Sequence, residues 1–82
     1  MSASADSSVQ ATVIEVISSL LKCEINAESS RENTLPWDSL KHVELVFAIE
    51  DELGLQFSEQ QLAELSSVQS IVQAAQQIRD EA

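Results

Sequence analysis

The sequence predicts an all-α fold: a four-helix bundle with a short third helix and a long loop between helices one and two. Three observations support this prediction. Apolar residues recur at three- and four-residue steps in segments separated by capping and turn residues. The composition offers few strand or turn formers, with no Tyr, one Gly and one Pro. The length of 82 residues fits one small domain with a single core.

The first helix is predicted to start where an apolar stripe begins, with Ser7 or Ser8 as its cap. We expect it to end near Lys22 or Cys23. The stripe comprises Val9, Val13, Val16, Ile17, Leu20 and Leu21.

The composition also divides the chain. Residues 1–7 are small, polar and rich in Ser and Ala, and we expect a flexible leader there. Residues 8–79 carry the apolar periodicity and are predicted to form the folded domain. Residues 80–82 are expected to be a short tail.

A long connection is predicted between Asn26 and Trp37. Loops of this length in compact domains are usually functional or held in place by packing. Ile25, Leu35 and Trp37 are its expected apolar anchors. Pro36 favours an extended Leu35 and prepares a new helix start.

The second helix is predicted over residues 39–53, with Gly54 as its C-cap. Helical spacing predicts a broad apolar arc of Leu40, Val43, Val46, Phe47, Ile49 and Leu53. The solvated arc comprises Lys41, Glu44, Ala48, Asp51 and Glu52. Glu50 falls inside the apolar arc, and the sequence offers no partner for it beyond water at the helix end.

Two further helices follow a short extended link in which Leu55 and Phe57 point inward. Ser58 and Gln61 match a capping box that opens a short third helix through Leu65. A break at residues 66–67 precedes the fourth helix, whose apolar stripe comprises Val68, Ile71, Val72, Ala75 and Ile78.

The net charge of −10 restricts the partners of the chain. Such an acidic protein is a poor ligand for nucleic acid or an anionic membrane surface, and it favours basic protein partners. Cys23 is the single cysteine, so an internal disulfide is impossible. The lone cysteine, the absence of a long apolar run and the absence of a signal-like N-terminus indicate a reducing, soluble compartment, and we expect a cytoplasmic protein. We also expect a monomer.

Ser39 is the most informative residue, because it lies where the long loop becomes the second helix. A hydroxyl at a helix N-terminus lies near free backbone N–H groups and the positive end of the helix dipole, which suits a phosphate. Ser39 is therefore either a helix cap or the attachment point of a phosphate-bearing arm. Asp38 is a second candidate for the cap.

One edge of the second helix alternates apolar and acidic residues and begins beside Ser39. We call this edge the boundary stripe, and it comprises Leu40, Glu44, Phe47 and Asp51. Apolar anchors supply binding energy and carboxylates steer a basic surface, so this edge is a candidate partner-binding surface.

The chain resembles the acyl carrier proteins from about Val9 to Ile78. The resemblance rests on several segments together with an acidic helix that follows a long loop. These segments are Asp38-Ser39-Leu40, Val43-Glu44-Leu45-Val46, Glu50-Asp51-Glu52, Leu55-x-Phe57 and Ser66-Ser67-Val68-Gln69.

The resemblance implies that Ser39 carries a 4′-phosphopantetheine arm, transferred from coenzyme A by a phosphopantetheinyl transferase with Mg²⁺. Acyl groups would travel on the arm as thioesters between enzymes of fatty-acid or polyketide-type biosynthesis, and the chain itself would not be an enzyme. By position, the boundary stripe inherits partner recognition through basic docking surfaces, with Asp38 beside the arm. Helical spacing and the resemblance together suggest Val46, Ile49 and Phe57 as cargo-lining residues.

The chain also departs from the family pattern. Leu35-Pro36-Trp37 stands where many members have a nearby glycine, and Lys41 and His42 replace an expected acidic position. These changes lower the negative charge beside the arm, which disfavours docking to the partners of housekeeping fatty-acid synthesis. The opening Trp37-Asp38-Ser39-Leu40 resembles that of discrete carriers in specialised pathways such as polyketide assembly.

Other functions remain open at this point. A peptidyl, aminoacyl or alanyl carrier would share the fold, and an unmodified acidic helical adaptor could use the boundary stripe alone. A serine hydrolase built on Asp38, Ser39 and His42 is disfavoured, because near-consecutive residues at a helix start cannot form the catalytic relay. No Cys/His set has metal-ligand spacing, and residues 50–52 lack the pattern of a calcium loop.

Overall fold

The computed structural model describes the backbone of residues 2–81 and the side chains of residues 9–80. The chain forms four helices: α1 (Ser2–Leu21), α2 (Ser39–Leu53), α3 (Glu59–Glu64) and α4 (Val68–Glu81). Within this part of the chain the only β-type pairing is an isolated bridge between Ser30 and Ser67. The predicted all-α bundle with a short third helix and a long first loop is confirmed.

The first helix starts earlier than its apolar stripe predicts. It begins at Ser2, so the expected caps Ser7 and Ser8 lie inside it. The segment contains no Gly or Pro, so nothing in its backbone chemistry interrupts helix propagation. The helix ends at Leu21, as expected, and Lys22 adopts a left-handed φ of 57°. The functional division into residues 1–7, 8–79 and 80–82 stays a prediction.

The core is formed where α1 packs against α2 and α4. Each of these three helices contributes side chains with almost no solvent exposure. The largest of them are Ile17, Leu45, Ile49, Ile71, Val13 and Val68. None of the helices described is long and apolar enough to cross a membrane.

The buried face of α2 is narrower than the broad apolar arc predicted from helical spacing, so that prediction is wrong in its extent. It comprises Leu45, Val46 and Ile49, and Leu45 was not assigned to that arc. Val43, expected in the arc, is exposed. The six-residue α3 has no buried residue of its own.

The long loop is anchored by two buried apolar side chains and by backbone hydrogen bonds. Ile25 and Trp37 are buried as predicted, but Leu35 is 98% exposed, so its prediction as an anchor is wrong. The chain turns outward there, with the Trp37 N–H donating to the Thr34 carbonyl. The loop is fixed instead through the α3–α4 connection, where the Val68 N–H donates to Ser29 O at 3.0 Å.

The predicted C-cap of α2 and the predicted N-terminal capping box of α3 are both present. Gly54 ends α2 with a φ of 67°, a left-handed conformation that glycine adopts without a Cβ penalty. The Ser58 hydroxyl accepts from the Gln61 N–H, and the Gln61 side chain accepts from the Ser58 N–H. This reciprocal pair is the predicted capping box.

Glu50 has a partner that the sequence did not reveal. Its Oε2 accepts a hydrogen bond from the Phe57 N–H at 2.8 Å. The carboxylate thus satisfies a partly buried backbone donor in the link between α2 and α3. Its position inside the predicted apolar arc is explained by this contact rather than by the helix end alone.

Candidate functional site

Ser39 is the first residue of α2, and its side chain is exposed. The N-cap is Asp38, whose extended backbone precedes the helix and whose Oδ1 accepts from the Lys41 N–H at 2.8 Å. Of the two candidate caps, Asp38 therefore fills the role. The hydroxyl of Ser39 is left outside the capping hydrogen bond and points to the surface beside a helix N-terminus.

The hydroxyl of Ser39 has one neighbour that the sequence analysis missed. Arg31 Nη2 donates a hydrogen bond to Ser39 Oγ at 3.1 Å. The two residues are eight positions apart across an irregular loop, so no helical or strand periodicity could relate them. Their contact depends on how the loop folds back towards α2.

Trp37 and His42 contact each other at the start of α2. Trp37 Nε1 donates to His42 Nδ1 at 3.0 Å, and the two rings are stacked with an interplanar angle of 24°. Burial lowers the pKa of His42, and the positive charge of Arg31 lowers it further. The imidazole is therefore held neutral near pH 7.

This arrangement does not form a serine hydrolase relay. His42 Nδ1 accepts from Trp37, while Ser39 Oγ accepts from Arg31. Among the hydrogen bonds of the described residues, none joins Ser39 to His42, so the serine has no general base in contact with it.

All four residues of the boundary stripe are exposed. Leu40 is 71% exposed and Phe47 is 63% exposed, which is unusual for large apolar side chains in a small domain. Val43, which the sequence analysis assigned to the core, is also exposed and adds to this surface. Glu44 lies 3.6 Å from the Lys41 ammonium, so part of its charge is compensated locally.

The three predicted cargo-lining residues belong to the core. Val46 is 3% exposed, Ile49 0% and Phe57 4%. Phe57 also lines a surface cleft between α3 and α4, together with Ile78. The three residues therefore belong to one apolar cluster. Of the three, Phe57 is the one that also lines this cleft.

The remaining reactive side chains show no site of their own. Cys23 is a free, half-buried thiol packed against the core. Over the described residues, no group of three or more His, Cys, Asp or Glu side chains is placed to hold a metal ion.

Comparison with known protein families gives a match that covers most of the chain. A family model described as "Phosphopantetheine attachment site" matches residues 11–75. The matched region runs from α1 into α4 and includes the long loop, Ser39 and the whole of α2.

Proposed function

The chain belongs to the phosphopantetheine attachment site family, and we propose that Ser39 is the residue that carries the arm. Members of this family bind 4′-phosphopantetheine covalently and act as carriers, so the chain is a carrier protein and not an enzyme. The proposal thus concerns which residue is modified and what the arm transports.

The proposal rests on the different roles of Asp38 and Ser39 at the start of α2. Asp38 caps α2, which leaves the Ser39 hydroxyl exposed and free of backbone hydrogen bonds. Ser58, at the start of α3, differs because its hydroxyl accepts from the Gln61 N–H. The helix N-terminus beside Ser39 also favours the negative phosphate that the arm would bring.

We further propose that the cargo is an acyl group held as a thioester for enzymes of fatty-acid or polyketide-type biosynthesis. The net charge of −10 and the exposed boundary stripe support docking to basic surfaces on a phosphopantetheinyl transferase and on acyl-loading and biosynthetic enzymes. Asp38 would lie beside the arm and would face the same partners. The single cysteine supports a reducing compartment such as the cytoplasm.

The first test is the intact mass of the protein after incubation with coenzyme A, Mg²⁺ and a broad-specificity phosphopantetheinyl transferase. We expect the wild type to gain one phosphopantetheine group and Ser39→Ala to gain none. Ser58→Ala is the matched control, because it removes another serine hydroxyl at a helix start and should still be modified.

A wild type that stays unmodified with several transferases would contradict the assignment and favour the unmodified adaptor. Once the arm is attached, loading assays distinguish the cargo classes. Transfer by acyl-loading enzymes supports the acyl carrier, whereas transfer only by amino-acid ligases would replace it with a peptidyl or alanyl carrier.

A further inference from the structure

We propose that Arg31 binds the phosphate of the arm attached to Ser39, and thereby holds the base of the arm against the long loop. This inference rests on the proposed attachment at Ser39. Its starting point is the hydrogen bond from Arg31 Nη2 to Ser39 Oγ at 3.1 Å, which places the guanidinium at the oxygen that would become part of the phosphodiester.

The guanidinium of Arg31 is free for an anion despite the acidity of the chain. The chain has fourteen acidic residues and four basic residues. Among the side chains described, however, no carboxylate oxygen lies within 4.0 Å of the Arg31 guanidinium nitrogens. The ion pair at such a distance is formed by Lys41 and Glu44. The carboxylate of Asp38, next to Ser39, is engaged with the Lys41 N–H.

The loop holds the backbone of Arg31 in place. The Arg31 N–H donates to Ser66 O at 2.9 Å, and the Ser30 N–H donates to Asn33 Oδ1 at 2.9 Å. The first of these bonds connects the loop to the segment before α4. Because the backbone is anchored on both sides, ordering the guanidinium over a phosphate costs less conformational entropy than it would on a free loop.

The phosphodiester of the arm and the guanidinium of Arg31 are chemically complementary. A phosphodiester on Ser39 carries one negative charge shared by two unesterified oxygens, each two bonds from Oγ. A guanidinium presents paired N–H donors in a planar fork, which suits such oxygens better than a lysine ammonium does. The positive charge of Arg31 already acts in this neighbourhood, because it contributes to lowering the pKa of His42.

The chain provides a matched control for this proposal. Arg31 and Arg79 are the two arginines. Arg79 lies near the end of α4, about 16 Å along the helix from Val68, the residue that is bonded to the loop. Arg79→Gln therefore makes the same change in net charge as Arg31→Gln, but at the opposite end of α4 from the residue that is bonded to the loop.

The test compares the wild type, Arg31→Gln, Arg31→Lys and Arg79→Gln, each converted to the modified form and verified by intact mass. The guanidinium Nε–H signals are recorded by ¹⁵N NMR before and after modification, and the phosphodiester is followed by ³¹P NMR. We expect modification to shift the Arg31 signal and leave the Arg79 signal in place. The ³¹P signal of Arg31→Gln should move and narrow, that of Arg31→Lys should be intermediate, and that of Arg79→Gln should match the wild type.

Two results would overturn the inference while leaving the carrier function intact. The first is an Arg31 signal that is identical before and after modification. The second is slower modification of Arg31→Gln with an unchanged ³¹P signal, which would assign the arginine to the transferase reaction instead. If the wild type acquires no arm on Ser39, the proposed attachment site and this inference fail together.

Discussion

The indole of Trp37 donates a hydrogen bond to the imidazole of His42, and the 3.0 Å contact between Nε1 and Nδ1 joins the end of the long loop to the first turn of α2. Trp37 is 2% exposed, so the donor is fixed in the core. An imidazole that accepts through Nδ1 carries its proton on Nε2 when neutral. Ser39, the proposed attachment site, lies between these two residues in the chain.

Stability should depend on the protonation of His42. Its pKa is lowered in the folded state from an ordinary value of 6.5, so the unfolded chain binds the proton more readily. The contribution of His42 to the free energy of unfolding should therefore rise with pH between the lowered pKa and 6.5, and that contribution should be lost as pH falls through this window. Urea unfolding monitored by the fluorescence of Trp37 across this window would measure it.

The control for this experiment is His42→Asn, which retains an acceptor near Nδ1 but does not titrate. Carboxylates titrate in both proteins and largely cancel in the comparison. We expect a smaller increase in stability with pH for the variant. Parallel pH profiles for the two proteins would show that His42 contributes nothing to the pH dependence.

Removing the cap of α2 should destabilise the domain. Asp38→Ala deletes the acceptor of the Lys41 N–H and should lower the free energy of unfolding by about 1 kcal/mol. Asp38→Asn keeps a capping oxygen and should lose less. Urea denaturation of the three proteins at one pH provides the comparison, and equal midpoints for Asp38→Ala and the wild type would argue against the cap.

Glu50 should matter more for stability than its exposed neighbour Glu52. Glu50→Ala leaves the Phe57 N–H without its 2.8 Å acceptor in a partly buried link, which should cost roughly 1–3 kcal/mol. Glu52→Ala is the matched control and should have little effect. Amide hydrogen exchange provides a local readout, because the Phe57 N–H should exchange faster only in Glu50→Ala; unchanged exchange there would refute the role of this contact.

Reversing charges on the boundary stripe should weaken docking. Replacing Glu44 and Asp51 by Lys should slow modification and partner transfer by roughly an order of magnitude at low salt, and by less at high salt. Replacing the exposed Glu64 and Asp80 by Lys changes the net charge equally, but on α3 and α4. Circular dichroism checks that helicity is retained; equal rates for the two double variants would place the docking surface elsewhere.

A long acyl chain should perturb the predicted cargo-lining residues. Val46, Ile49 and Phe57 are packed in the core, so an inserted chain must displace their neighbours. Their amide signals should shift when the arm carries a long-chain thioester and change little with an acetyl thioester. Unchanged signals with the long chain would mean that the cargo stays outside the bundle.

Local features of the chain were predictable from the residue pattern. The helical periodicity, the left-handed Gly54, the Ser58 capping box and the burial of Trp37 all agree with the structure. Each depends on interactions within a few residues or on the strong burial preference of a large aromatic side chain. The family resemblance likewise rested on short segments in a fixed order, and the family match over residues 11–75 confirms it.

By itself, the sequence determined the four helices, the glycine that ends α2, the capping box of α3 and the position of Ser39 at the start of α2, because these follow from local backbone chemistry and periodicity. Only the tertiary structure decided which face of α2 is covered, since burial depends on how the helices pack against one another. Val43 on α2 therefore proved exposed, and so did the loop residue Leu35, where the chain turns outward. The tertiary structure also decided that Arg31 contacts Ser39 and that Glu50 contacts Phe57. Irregular segments bring these residues together, and no periodicity in the sequence predicts such contacts.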